Sequence, residues 1–355
     1  MPRWRPAAFC RPSDVAPTAV MRVGALAVGL ACACGLTPPA SPAEAALDPA
    51  RGVTVMVLPD QDATPILEAI RSARRRIWME MYLLTASEAV AALVQAHAAG
   101  VEVRVLLEPA PYGDEAANQA AFAVMSANGM DVRWTHRAVG LVHAKLMLID
   151  GTTAWVMTLN LTASGLRGNR EYVVVDHDPT EVRRVEAIWS ADAIGAESAP
   201  GGEGATGARG RTLLVSPLNA RARLGGCISA ARTSIVVEVE EVSDGDLVAR
   251  LLSASGDGVL VTVVAPATNR SLATTAALKK LAAGGVTVRV LLTPTVHGKA
   301  MVVDGRQVYL GSMNLTRASL DDNREVGLLW SDSTVATRVS SVIARDARAG
   351  LVLGE

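Results

Sequence analysis

Short runs rich in β-branched residues alternate along the chain with Ala-rich stretches of helical character, which is the pattern of an α/β unit. In the first part of the chain the apolar runs predict strands at Val53–Leu58, Ile77–Leu83, Val101–Leu107, Val132–Thr135, Leu146–Ile149, Ala154–Thr158 and Tyr172–Val175. Thr64-Pro65 reads as a cap followed by a helix-starting proline, and Ser87 to Ala99 reads as a helix stopped by Gly100. Asp178-Pro179 opens another helix by the same logic. A second series follows, with strands centred near Leu213, Ile235, Val259, Val288, Met301, Val308 and Val326.

The second series repeats the first. Val142-His-Ala-Lys-Leu-Met-Leu-Ile-Asp-Gly151 returns as Val296-His-Gly-Lys-Ala-Met-Val-Val-Asp-Gly305, an offset of 154. Asn160-Leu-Thr162 and Asn169-Arg-Glu171 return at the same offset as Asn314-Leu-Thr316 and Asn323-Arg-Glu325. Upstream the match is looser: Leu58-Pro59 parallels Ser216-Pro217, and Glu80 parallels Glu238, at an offset of 158. Between the halves, Gly195 to Gly210 holds six Gly with Ala, Ser and Thr, a linker composition. The expected organisation is a leader over 1–45, a first half over 46–194, a linker over 195–210 and a second half over 211–355.

The leader changes the picture of where the protein works. Arg22 precedes an apolar run of about 14 residues, Val23 to Leu36, and Ala43-Glu-Ala45 supplies a small-residue step, together a secretory signal too short for a membrane span. Export to a periplasm or to the medium is the expectation, with translation starting at Met1 or Met21. Cys10, Cys32 and Cys34 fall in the leader, so Cys227 alone would remain, reading as a packing residue of a helix and excluding an internal disulfide.

With 355 residues, half of them hydrophobic, a sizeable core is assured. The formal charge of −1 becomes −3 without the leader, and aromatic residues make up 3% of the chain. Neither favours binding to long nucleic acid.

Chemistry is concentrated in the two His-x-Lys pairs. Five His and four Lys in this length predict roughly 0.06 such pairs by chance, whereas two occur, each with Asp, Asn and Glu at matching distances. Two residues apart at the mouth of a strand, His and Lys point to one face and can share a pocket. A phosphodiester repels an attacking anion, so hydrolysis needs fixed cations and donors around phosphorus. Two Lys and two Asn supply them, and imidazole serves as nucleophile or as acid and base. The remaining His97, His136 and His177 have no ligand partners at useful spacing, so neither a metal nor another cofactor is implied.

His-x-Lys-x4-Asp, with an Asn ten residues after the Asp and a Glu eleven beyond, resembles the phospholipase D superfamily signature, and the resemblance spans nearly all of the chain after the leader. It implies two pseudo-twofold α/β halves, each a mixed sheet flanked by helices, with both motifs meeting at their interface. Carried over, it makes His143 and His297 the nucleophile and the general acid and base, with His143 the nucleophile. Lys145, Lys299, Asn160 and Asn314 would hold phosphoryl oxygens, and Glu171 and Glu325 would accept a hydrogen bond from the far nitrogen of a His ring. Asp150 and Asp304 read as turn residues. Ser312, in Gly311-Ser-Met-Asn314, would let its loop approach the phosphate; in the first half Thr158 keeps the hydroxyl, but Met157 replaces the glycine. Glu80 and Glu238, inside apolar strands, would either support the site or pair with a buried Arg.

The expected reaction is cleavage of a phospholipid such as phosphatidylcholine to phosphatidate and head group, or transfer of the phosphatidyl group to an alcohol, through a phosphohistidine at a transiently bound membrane surface. A metal-independent endonuclease is the alternative within the family, and a non-catalytic phosphate- or phospholipid-binding protein the alternative outside it. Both motifs lie in one chain, so a monomer suffices.

Overall fold

The computed structural model describes residues 52–136, 140–196, 210–268 and 270–353. The leader, the leader cysteines and most of the Gly-rich linker lie outside the described residues. Among those described, no helix is long and apolar enough to cross a membrane.

The first half carries β1 (Val53–Leu58), β2 (Arg76–Met81), β3 (Glu102–Leu107), β4 (Asp131–Trp134), β5 (Lys145–Ile149), β6 (Thr153–Met157) and β7 (Asn169–Asp176). The second carries β8 (Thr212–Ser216), β9 (Ser234–Val239), β10 (Leu260–Pro266), β11 (Thr287–Leu291), β12 (Thr295–Val296), β13 (Lys299–Val303), β14 (Gln307–Gly311), β15 (Glu325–Ser331) and β16 (Leu351–Val352). Helices α1 (Thr64–Ser72), α2 (Ser87–Ala98), α3 (Gln119–Ala127), α4 (Ala163–Arg167) and α5 (Pro179–Ala193) belong to the first half. Helices α6 (Ala220–Ser229), α7 (Gly245–Gly256), α8 (Leu272–Ala283) and α9 (Ser333–Ala349) belong to the second.

The two sheets have one topology. The first runs β1-β7-β6-β5-β2-β3-β4 and the second β8-β15-β14-β13-β9-β10-β11, with β16 added at its edge. In each, three neighbouring strands are parallel (β2, β3 and β4; β9, β10 and β11) and the other pairings along these orders are antiparallel, as expected for a mixed sheet.

Alternation along the strands sorts side chains between two environments. On β7, Tyr172 and Val174 face a core shared by both halves, while Val173 and Val175 face a core of the first half alone. The shared core also takes Leu213, Val215, Val326 and Leu328 from the second sheet, Trp189 from α5 and Val339 from α9. The halves are therefore joined by a continuous apolar seam, whose burial from water is what holds them together.

Ion pairs cross between the halves as well, two deeply buried ones among them. Arg170 on β7 meets Asp346 of α9 at 2.6 Å, and Arg324 meets Asp192 of α5 at 2.8 Å. One short strand crosses as well, because β12 pairs in parallel with Asn169 and Arg170 of β7. This pairing explains why β7 begins at Asn169, ahead of the predicted Tyr172. The edge it gains comes from the other half and cannot be read locally. At α1 the cap differs from expectation: the Asp62 carboxylate accepts the Thr64 N–H at 2.8 Å, and Thr64 is already helical. Cys227 sits on α6, and burial pushes its thiol up to about 11.

Candidate active site

Each His-x-Lys motif enters its sheet at the same place: Lys145 opens β5, Lys299 opens β13, and each His stands just outside. What positions each His is the opposite half. The His143 N–H donates to the Arg324 carbonyl at 2.8 Å, and the His297 N–H donates to the Arg170 carbonyl at 3.3 Å. The residue after each of these arginines is the motif glutamate. Consequently His143 Nδ1 lies 2.8 Å from Glu325 Oε2, and His297 Nδ1 lies 2.7 Å from Glu171 Oε1. Both ring contacts cross from one half to the other, a pairing that linear spacing leaves undetermined.

A carboxylate facing Nδ1 fixes the proton there and leaves Nε2 for chemistry. The glutamates are themselves held. Glu171 Oε2 accepts from the Thr158 hydroxyl at 2.6 Å, and Ser312 Oγ accepts the N–H of Val326, next to Glu325, at 3.0 Å. This corrects the expectation for Ser312 and Thr158: both are wholly buried, and their hydroxyls serve the glutamate-bearing strands instead of meeting phosphate. Met157 packs into the core of the first half, so its replacement of glycine leaves the cavity wall untouched.

Lys145 and Lys299 are fully buried, and each ammonium donates to the carbonyl of its own motif His, at 2.5 and 2.6 Å. Burial is the largest influence on Lys145 and brings its ammonium down to about 7 against the pull of Glu325. Burial also lowers His143 below the ordinary histidine value, with the Glu325 charge acting the other way. A neutral His143 at neutral pH is the form that can attack phosphorus.

His143 and His297 line one cavity of about 480 Å³ together with Asn160, Asn314, Tyr82 and Glu240. Asn160 Oδ1 is buried without a hydrogen-bond partner among the described residues. Asn314 donates to Glu240 at 3.2 Å and accepts the Glu241 N–H at 3.1 Å.

Asp150 and Asp304 lie elsewhere. Both adopt positive φ, 56° and 51°, in the turns after β5 and β13. Each carboxylate gathers three consecutive backbone N–H groups: Arg74 to Arg76 for Asp150, and Arg232 to Ser234 for Asp304. Glu80 and Glu238 are also outside the cavity. Glu238 accepts the Tyr172 hydroxyl beside Arg170, and burial raises its carboxyl to about 8. Glu80, wholly buried, has Asp192 and Arg324 as its charged neighbours.

Four residues of consequence escaped the sequence reading. Arg170 and Arg324 were visible as the middle of the repeated Asn-Arg-Glu. Tyr82 and Glu240 are related by the same offset of 158 as Glu80 and Glu238, but their side chains are unlike, so no repeat drew attention to them. Tyr82 packs edge-on to the His143 ring, 4.5 Å between centroids, and under the Lys145 ammonium at 4.9 Å. Glu240 takes the corresponding place beside His297 and Lys299, whose charges hold its carboxyl far below the usual range although burial acts to raise it.

Comparison with known proteins agrees with this arrangement. The family described as "Cardiolipin synthase, PLD-like domain" matches twice, over residues 66–192 and 224–347, one copy in each half. The chain belongs to the phospholipase D superfamily. Among curated members of the superfamily, cardiolipin synthase A of Pseudomonas aeruginosa is 32% identical over 127 residues, which is 36% of this chain and 26% of that protein. Cardiolipin synthase A of Pseudomonas entomophila is 30% identical over 152 residues, 41% of this chain and 32% of its own length. The matched region thus spans about a quarter to a third of these relatives. Of solved structures, phosphatidylserine synthase from Haemophilus influenzae superposes with a TM-score of 0.67 at 15% identity, covering 86% of this chain and 88% of its own. Polyphosphate kinase from Porphyromonas gingivalis gives 0.62 at 18% identity, over 83% and 50%. At these identities the likeness is one of fold.

Proposed function

We propose that the protein is a phosphodiesterase acting on phospholipids through a phosphohistidine on His143, passing the phosphatidyl group to water or to an alcohol. The observation that carries the reading is the pair of imidazoles in one cavity, each with its Nδ1 within 2.8 Å of a glutamate carboxylate of the other half. His143 Nε2 would attack phosphorus while His297 protonates the departing head-group oxygen; His297 would then take a proton from the incoming water or alcohol. Lys145, Lys299, Asn160 and Asn314 would stabilise the charge that develops on the phosphoryl oxygens. The cardiolipin synthases among the relatives support a lipid diester as substrate.

The test is head-group release from phosphatidylcholine and phosphatidylethanolamine run beside nicking of supercoiled DNA, with and without EDTA, for the purified protein, His143→Asn and His297→Asn. Head-group release lost in both variants is expected. DNA nicking without lipid turnover would move the protein to the nuclease branch, and binding without turnover of any diester would make it a non-catalytic phosphate binder.

A further inference from the structure

The walls of the cavity are chemically unlike although the topology makes them equivalent. Tyr82 and Leu83 follow β2 as Glu240 and Glu241 follow β9, and all four line the cavity. On the first-half side Tyr112 and Leu141 add further apolar and aromatic surface. The second-half side instead presents two carboxylates.

Glu240 has a specific position. Its Oε2 lies 2.7 Å from Lys299 Nζ, 3.2 Å from Asn314 Nδ2 and 3.6 Å from His297 Nε2. One carboxylate oxygen therefore occupies the groups on which a phosphoryl oxygen would rest in that half. Its Oε1 makes no hydrogen bond among the described residues, and the side chain is 33% exposed toward the cavity. No carboxylate stands at the matching place in the first half, where the Tyr82 ring lies beside His143 and Lys145. The first half offers its lysine and asparagine to the phosphoryl group with no carboxylate in the way; Lys299 and Asn314 would join them with Glu240 turned from them toward whatever is attached to phosphorus.

We propose that the site is built for a zwitterionic phosphodiester, with Glu240 as the residue that receives the cation of the head group; this rests on the phosphodiesterase reading above. Head groups of the ethanolamine and choline class carry their cation two carbons from the ester oxygen. With phosphoryl on His143, Lys145 and Asn160, the cation falls on the acidic wall and the diacylglycerol side on the apolar wall. The same orientation sets the chemistry. The bond from His143 Nε2 to phosphorus forms as the bond from phosphorus to the head-group oxygen breaks, and the proton of His297 Nε2 passes to that oxygen. A diester with no cation brings its negative charge against Glu240 and Glu241 without compensation, so the carboxylates also select by repulsion.

The experiment compares kcat/KM for short-chain phosphatidylethanolamine, phosphatidylcholine and phosphatidylglycerol of equal acyl length, with bis(4-nitrophenyl) phosphate as a generic diester. The unchanged protein is expected to favour the zwitterionic lipids by about tenfold or more. Glu240→Gln and Glu240→Tyr should reduce that ratio by about tenfold, chiefly through KM of the zwitterionic lipids, and Glu240→Asp should retain part of it. Raising ionic strength should lower the ratio in the unchanged protein, a readout that needs no variant to fold. A ratio unmoved by both Glu240→Gln and salt, or a preference for phosphatidylglycerol, would overturn the proposal while leaving the phosphodiesterase reading intact. Failure to turn over even the generic diester would overturn both.

Discussion

His143 and Glu325 are 182 residues apart in the chain and 2.8 Å apart in space. The contact joins the two halves at the His143 ring, and His297 with Glu171 repeats it in the opposite sense at 2.7 Å. If these carboxylates fix the tautomer and stabilise the imidazolium, Glu325→Gln and Glu171→Gln should each lower kcat by about 10²–10⁴-fold with a much smaller change in KM. Steady-state kinetics on one lipid substrate decides it. A loss confined to KM would make the glutamates binding groups.

The two histidines should separate when the leaving group needs no proton. With bis(4-nitrophenyl) phosphate, His297→Asn is expected to give a burst of 4-nitrophenol and an acid-labile phosphoenzyme, while His143→Asn gives neither. Mass mapping of the trapped enzyme should locate the phosphoryl group on His143. Finding it on His297 would exchange the two roles.

The pH profile of kcat/KM reports the free enzyme. In the proposed mechanism His143 must be neutral to attack, and burial lowers it, so the ascending limb is expected below pH 6.5. Lys145 must be charged to hold the phosphoryl group, and burial brings it to about 7, so activity should fall as pH rises through about 7 to 8. The descending limb of kcat should lie higher, because a bound phosphate anion favours the ammonium. A kcat/KM profile flat from pH 6.5 to 9 would show that Lys145 stays charged throughout.

Arg170 and Asp346 are only 2% and 4% exposed at their side chains, and they pair across the seam. Removing Arg170 leaves the buried Asp346 carboxylate with only the longer contact to Arg345, at 3.4 Å, so Arg170→Met should destabilise the fold by about 3–5 kcal/mol. Pairing it with Asp346→Leu should recover most of that loss. Urea unfolding of the two single variants and the double variant gives the coupling directly. Additive losses would mean that the pair contributes nothing as a pair.

Much of this was legible in the chain, for reasons that can be named. The 154-residue repeat carries every group that must be chemically identical in both halves, so His143 and His297, the lysines, the asparagines and the glutamates stood out. The strands were legible because apolar β-branched runs report a buried sheet wherever they occur. The choice of partner was not, since the linear order is silent on whether a glutamate serves its own half or the other. Ser312 and Thr158 were placed near phosphate because they precede the asparagines, yet their hydroxyls turn back to β15 and β7. Glu240 was missed because a repeat search finds sameness, and its meaning lies in being different from Tyr82.

That difference is open only to a single polypeptide. In a symmetric dimer of identical subunits every substitution appears twice, so an acidic residue at this position would face both imidazoles and an aromatic one neither or both. Covalent fusion of two like halves lifts that restriction and lets one wall diverge while its counterpart stays as it was. Tyr82 and Glu240 stand at such a point of divergence, and they give a direction to a site whose backbone has none.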